Sequence, residues 1–206
     1  MTVGELLAGR RLVAILRGVP VVRALELAKA VWDSGLGVVE VPIQTPEAVE
    51  CLRALAAAAA RVGAVVGAGT VRSPALVATA LEAGAGFTVA PGLDLDVVRA
   101  SHDAGLPHLP GVATASEVHH ALNAGCGWLK AFPAGSLGPG WLREMRGPFP
   151  EARFVATGGI DAGNARDYLA AGAAALGVGG AVTREGGLAA LLEALADAPP
   201  AAASLA

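Results

Sequence analysis

Ser116-Glu117-Val118-His119-His120-Ala121-Leu122-Asn123-Ala124-Gly125-Cys126-Gly127-Trp128-Leu129-Lys130-Ala131-Phe132 reads as a helix, a stop and a strand in immediate succession. Gly125 falls just past the helical stretch, where a residue without Cβ closes the last turn in the left-handed conformation. The run from Gly127 to Phe132 is short and apolar, as a buried strand is. The same punctuation recurs at Asp33-Ser34-Gly35, Glu82-Ala83-Gly84, Asp103-Ala104-Gly105 and Ala170-Ala171-Gly172.

Working outward, the pattern predicts strands at Leu12 to Arg17, Gly37 to Pro42, Ala64 to Ala68, Gly86 to Ala90, Leu106 to Leu109, Gly127 to Phe132, Arg153 to Thr157 and Ala174 to Val178. Between them it predicts helices at Val21 to Ser34, Pro46 to Ala60, Pro74 to Ala83, Asp94 to Ala104, Ser116 to Ala124, Pro139 to Met145 and Asn164 to Ala171, with Gly186 to Ala196 closing. Strict alternation with short connections means βαβ units on a parallel sheet. Eight strands could form an open doubly wound sheet. The uniform unit, and the lack of a G-x-G-x-x-G run after the first strand, favour a closed (β/α)8 TIM barrel in the α/β class. Its chemistry then belongs at the carboxyl ends of the strands.

Composition agrees with one domain over residues 1–206, with 198–206 a frayed tail. The chain is 54% hydrophobic and 16% charged with a net charge of -3, and it carries no run of like charges. That argues against nucleic acid or an anionic membrane surface as partners. The start of the chain lacks the pattern of a signal peptide and no stretch is apolar enough to span a membrane, so a cytoplasmic protein is expected. Cys51 and Cys126 stand far apart and read as buried packing thiols. His102, His119 and His120 fall on helices and His108 in an apolar run, so neither a metal site nor a catalytic histidine is expected.

Only Lys29 and Lys130 are lysines among fifteen basic residues. Lys29 reads as a solvated residue of the first amphipathic helix. Lys130 interrupts a strand, on the face it shares with Trp128 and Phe132. Burying an ammonium is costly, so such a lysine finds a carboxylate partner or gives up its proton, and the second state is a nucleophile. An ion-paired structural lysine is the alternative, although arginine would serve that purpose at least as well.

Glu40 is the one acidic residue within the predicted strands. On the barrel interior it reads as a general acid/base, or as a counter-ion for Lys130. Glycine-rich strand ends follow strand three (Gly67-Ala68-Gly69-Thr70), strand seven (Thr157-Gly158-Gly159-Ile160-Asp161) and strand eight (Gly177-Val178-Gly179-Gly180). Backbone N–H groups after strands seven and eight commonly hold phosphate in this architecture, although glycines there also simply make turns. Arg17, at the end of strand one, suits a carboxylate or phosphate, or a salt bridge at the rim.

Taken in order, Val13-Ala14-Ile15-Leu16-Arg17, Val39-Glu40-Val41, Gly67-Ala68-Gly69-Thr70-Val71, Pro91-Gly92, Pro110-Gly111, Leu129-Lys130-Ala131-Phe132-Pro133 and Thr157-Gly158-Gly159-Ile160 make the chain resemble a family. These are the class I aldolases that cleave 2-keto-3-deoxy-6-phosphogluconate or its galactonate epimer, some of which also act on 4-hydroxy-2-oxoglutarate. The resemblance implies a Schiff base on Lys130, proton transfer by Glu40, and Thr70 near the pyruvyl carboxylate. It also implies phosphate on the backbone of Gly158, Gly159 and Gly180, with Pro91, Phe132, Thr157 and Gly179 lining the substrate, no cofactor, and a homotrimer. Two positions depart from the family's pattern. Gln44 stands where many members carry an arginine for the carboxylate, a task that passes to Arg17. Ala181 stands where a serine often bonds the phosphate. A phosphosugar isomerase or epimerase on the same barrel is the rival enzyme, and an inert phosphate-ligand binding protein the rival of another class.

Overall fold

The structure, a computed structural model, describes residues 1–196. The expected frayed tail lies outside the described residues. Nine parallel strands form one sheet: β1 (Leu12–Ile15), β2 (Gly37–Pro42), β3 (Val66–Gly69), β4 (Phe87–Val89), β5 (His108–Leu109), β6 (Gly111–Val112), β7 (Trp128–Ala131), β8 (Arg153–Thr157) and β9 (Ala175–Val178). Their order is β5-β4-β3-β2-β1-β9-β8-β7-β6. The two edges are halves of one broken strand, because Pro110 has no N–H and interrupts the ladder between β5 and β6. Hydrogen bonds continue on both sides of the break, with Ala90 N donating to Leu109 O at 3.0 Å and Lys130 N to Pro110 O at 2.8 Å. The result is the expected (β/α)8 barrel, its fifth strand running past the predicted Leu106 to Leu109 as far as Val112.

Helices α2 (Val21–Asp33), α3 (Pro46–Arg61), α4 (Pro74–Glu82), α5 (Leu95–Asp103), α6 (Ala115–Asn123), α8 (Ala165–Ala170) and α10 (Gly187–Ala196) fall where the periodicity places them. Along α2 the buried residues are Ala24, Leu27, Ala28 and Val31, the one-faced stripe of a helix lying on a sheet. Thr45, Ser73 and Asp94 accept from the first-turn N–H groups of α3, α4 and α5, which fixes where each begins. Gly125 (φ 82) and Gly172 (φ 102) adopt the left-handed backbone expected just after helices.

Three helices differ from expectation. Helix α7 (Ala134–Met145) starts five residues before Pro139, as two helical pieces joined at Gly138 (φ 74). Pro139 opens only the second piece, where its fixed φ suits a first turn. The short helices α1 (Val3–Leu6) and α9 (Gly180–Thr183) have too few residues for any apolar period to announce them.

Period-two alternation sorts the strands onto two cores. Leu12, Ala14, Val39, Val41, Leu129, Ala131, Phe154, Ala156, Leu176 and Val178 face outward in the cluster they share with the helices. Val13, Val38, Phe87, Val89, Leu109, Val155 and Ala175 face inward and pack with Leu6 and Leu7 from the α1 segment. The interior on the amino side is therefore solid apolar packing, and the polar interior residues lie further along each strand.

Candidate active site

Lys130 is the third residue of β7, between Gly111 of β6 and Val155 of β8 in register. Leu129 and Ala131 belong to the outer core, so the alternation sends Lys130 inward. Its side chain is 5% exposed, and Nζ stands 5.0 Å from the centroid of the Phe132 ring. It lines a cavity of about 610 Å³ at the carboxyl end of the barrel, together with Ile15, Arg17, Phe132, Thr157 and the loops after β8 and β9.

Glu40, opposite Ile15 of β1 and Gly67 of β3, is 1% exposed. Its Oε1 is buried without a hydrogen-bond partner. Burial pushes its carboxyl above the ordinary carboxylate value, while the positive charges of Lys130 and then Arg17 pull the other way. Space for it comes from Gly69: a Cβ there would lie 1.8 Å from Glu40 Oε1. Gly177 gives way to Thr157 in the same manner, a Cβ falling 2.2 Å from Oγ1. Thr157 is buried and donates to Val155 O at 3.4 Å.

Arg17 leaves β1 at the rim and donates to Gln44 Oε1 and, at 3.4 Å, to Thr70 Oγ1. Thr70 holds φ 58, a conformation rare for a β-branched residue, immediately after β3. Strain at such a residue persists only where its surroundings enforce it, and it gathers at binding sites. The three groups form one polar cluster on the side of the mouth built by β1, β2 and β3.

Across the mouth, Gly158 (φ 96) and Gly159 (φ 75) are consecutive left-handed residues, a turn that side-chain-bearing residues rarely make. With Gly179 and Gly180 they present bare backbone to the cavity. The loop is pinned by Asn164, whose Nδ2 donates to Gly159 O at 2.8 Å and whose Oδ1 accepts from Asp161 N at 3.0 Å. Gly135 N donates to Gly158 O at 2.8 Å and ties the start of α7 to the same turn.

Of the residues singled out in the sequence, Arg17, Lys130, Phe132, Thr157, Gly158, Gly159, Gly179 and Gly180 line one cavity. Gln44 and Thr70 reach it through Arg17. Pro91 stands outside that wall, its backbone against Gly111, where a Cβ would come within 2.3 Å. Sequence reasoning missed Asp161 and Arg184 at the rim, 3.9 Å apart, and the loop-pinning Asn164. Arg184 had one available signal, its place four residues after Gly180.

The remaining expectations divide cleanly. Lys29 is exposed and paired with Asp33. Cys51 and Cys126 are buried thiols. His108 is 3% exposed, bonded through Nδ1 to the Thr88 hydroxyl at 2.8 Å, with Nε2 unpartnered. No helix among the described residues is long and apolar enough to cross a membrane.

The sequence matches the family described as KDPG and KHG aldolase over residues 3–190. It is 40% identical over 148 residues to the KHG/KDPG aldolase of Escherichia coli K12, covering 71% of this chain and 68% of that protein. It is 34% identical over 176 residues to the 2-dehydro-3-deoxy-6-phosphogalactonate aldolase of the same organism, covering 85% of each. Among solved structures, the KDPG aldolase of Legionella pneumophila, with pyruvate captured as a covalent carbinolamine, superposes with a TM-score of 0.82 at 30% identity, covering 95% of this chain and 97% of that one.

Proposed function

The chain belongs to the KDPG and KHG aldolase family, and from that membership we propose that it cleaves 2-keto-3-deoxy-6-phosphogluconate to pyruvate and glyceraldehyde 3-phosphate through an imine on Lys130. Its activity is that of an aldehyde-lyase. The observation that carries the assignment of roles is the interior pair itself: a lysine and a glutamate, each buried and facing into one barrel, the glutamate sensing the lysine's charge and the amine open to the cavity.

Lys130 Nζ, as the free amine, adds to the C2 ketone, and loss of water leaves an iminium that accepts electrons from the C3–C4 bond. Glu40 takes the C4 hydroxyl proton, directly or through a water. The C3–C4 bond breaks, C4 leaves as the aldehyde carbon of glyceraldehyde 3-phosphate, and the electron pair rests in the enamine of pyruvate. Return of a proton to C3 and addition of water to the iminium release pyruvate and restore the lysine. A carboxyl held above its ordinary value by burial suits both directions of that proton traffic. The reaction calls for no cofactor.

Arg17, oriented by Gln44 and Thr70, binds the keto-acid carboxylate with its planar fork. The backbone of Gly158, Gly159, Gly179 and Gly180 holds the phosphate across the mouth, so remote binding energy positions the reacting bond. Phe132 and Thr157 line the channel between them. The same site accommodates a second reading, cleavage of the galactonate epimer or of 4-hydroxy-2-oxoglutarate, favoured by the relatives that carry those names. We further place the enzyme in the cytoplasm as a homotrimer of one-domain chains, supported by family resemblance and by the balanced composition. A solution mass measurement tests the oligomer.

Trapping tests the chemistry. Incubation with pyruvate and borohydride, followed by digestion, is expected to leave a pyruvyl adduct on the peptide containing Lys130. Turnover that survives Lys130→Met would remove the imine from the mechanism and turn the reading toward an isomerase that uses Glu40 as base.

A further inference from the structure

We propose that Arg184 is the side chain that grips the substrate's phosphate dianion, and that it sets this chain's preference for phosphorylated over unphosphorylated keto acids. The inference rests on the aldolase reading of the cavity and adds a residue to it.

The wall formed by the loops after β8 and β9 offers few side-chain donors. Thr157 gives its hydroxyl to Val155 O and Thr183 gives its own to Gly180 O at 3.2 Å. Ala181 is an apolar methyl, 7% exposed. The cations that line the cavity are Arg17, Lys130 and Arg184. Arg17 is engaged with Gln44 and Thr70 on the opposite side, and Lys130 stands deep in the barrel. Arg184 is therefore the cation on the phosphate side of the mouth, and bare glycine backbone alone leaves a dianion's charge uncompensated.

Its partner makes the point sharper. Asp161 lines the same cavity, and its Oδ1 is committed to Gly163 N at 2.9 Å, which fixes the carboxylate in place. An unbalanced carboxylate there would repel phosphate. Arg184 Nη2 lies 3.9 Å from Asp161 Oδ2, with the two side chains 67% and 47% exposed. That separation exceeds a charge-assisted hydrogen bond, and an exposed pair of this kind is weak. Arg184 thus stands close enough to offset part of the Asp161 charge and, being loosely held, is free to turn its fork onto a phosphate, which offers more charge and a better bidentate match.

The test compares kcat/KM of wild type, Arg184→Ala and Arg184→Lys on 2-keto-3-deoxy-6-phosphogluconate and on 4-hydroxy-2-oxoglutarate, and measures the Tm shift given by inorganic phosphate. In Arg184→Ala the ratio of the two kcat/KM values is expected to fall about 10- to 100-fold against the phosphorylated substrate, the scale of a lost charge-assisted hydrogen bond. Lysine restores part of that ratio, and the phosphate-dependent Tm shift shrinks in the alanine variant. An equal fall on both substrates, or an unmoved ratio, overturns the proposal. If wild type turns over neither substrate, the aldolase reading fails by itself, and a full phosphate-dependent shift in Arg184→Ala then overturns the role of Arg184 separately.

Discussion

Adding one methyl group at position 69 is expected to disable the enzyme through a residue that carries no chemistry. In Gly69→Ala the new Cβ would fall 1.8 Å from Glu40 Oε1, 2.5 Å from Cδ and 2.8 Å from Cγ. Ordinary non-bonded contact begins at about 3.5 Å, so the carboxylate must retreat by more than about 1 Å. Its surroundings are closed, since Glu40 is 1% exposed. Gly69 is outside the left-handed region, so alanine strains no backbone there, and the whole effect is the collision. Overpacking of this kind costs about 1–3 kcal/mol, a Tm fall of about 2–12 °C in a chain this long. With the proposed role of Glu40 in proton transfer, its displacement is expected to lower kcat by about 10²- to 10⁴-fold. The assay is a double-mutant cycle with Glu40→Ala, which removes the group that the methyl strikes. Gly69→Ala should then cost little further stability and no further activity. Wild-type kcat and Tm in Gly69→Ala, or the same cost in both backgrounds, would refute the placement of Glu40 against β3.

Three other outcomes follow from the same geometry. Lys130→Arg keeps a cation but has no amine to condense with a ketone, so borohydride trapping and turnover should both vanish while Tm changes by only a few degrees, read by mass spectrometry and calorimetry. Arg17→Lys keeps charge but loses the fork shared with Gln44 and Thr70, so the pyruvate concentration needed for half-maximal trapping should rise about 10-fold. His108 is held down to about 4 by burial and then by His102, from an ordinary 6.5. Its neutral form therefore supports the fold above 6.5, and that support is lost as pH falls from 6.5 through 4, about 3 kcal/mol in all. In His108→Leu the Thr88 hydroxyl still has Ser101 at 3.0 Å, so the Tm difference between pH 7 and pH 4 should narrow relative to wild type.

The barrel was legible because it is written in local signals. Gly125 and Gly172 stop helices, Val, Leu and Ala fill the strands, and each signal depends only on its neighbours in the chain. Lys130 and Glu40 stood out because a charge inside a strand has one plausible address in a barrel, the interior. What escaped depends on contacts across the structure. Pro110 splits a strand that nonetheless keeps its place in the ladder. Asp161 and Arg184 are ordinary surface residues by type, and only the convergence of the β8 and β9 loops sets them facing one cavity. Gly69 and Gly177 read as parts of glycine-rich strand ends that meet an anion or make turns, whereas their function lies in what their neighbours on adjacent strands, Glu40 and Thr157, would otherwise strike.

Those interior glycines give the mouth a one-way response to change. At positions 67, 69, 111 and 177 a side chain is already absent, and an added Cβ would meet Phe87, Glu40, Pro91 or Thr157 within 2.3 Å. No point substitution at these sites opens space, because there is nothing left to delete, while every one of them drives a new atom into a neighbour. Adaptation toward bulkier substrates must come from the rim, by remodelling the loops that carry Arg17 and Arg184, and the inner wall stays as it is.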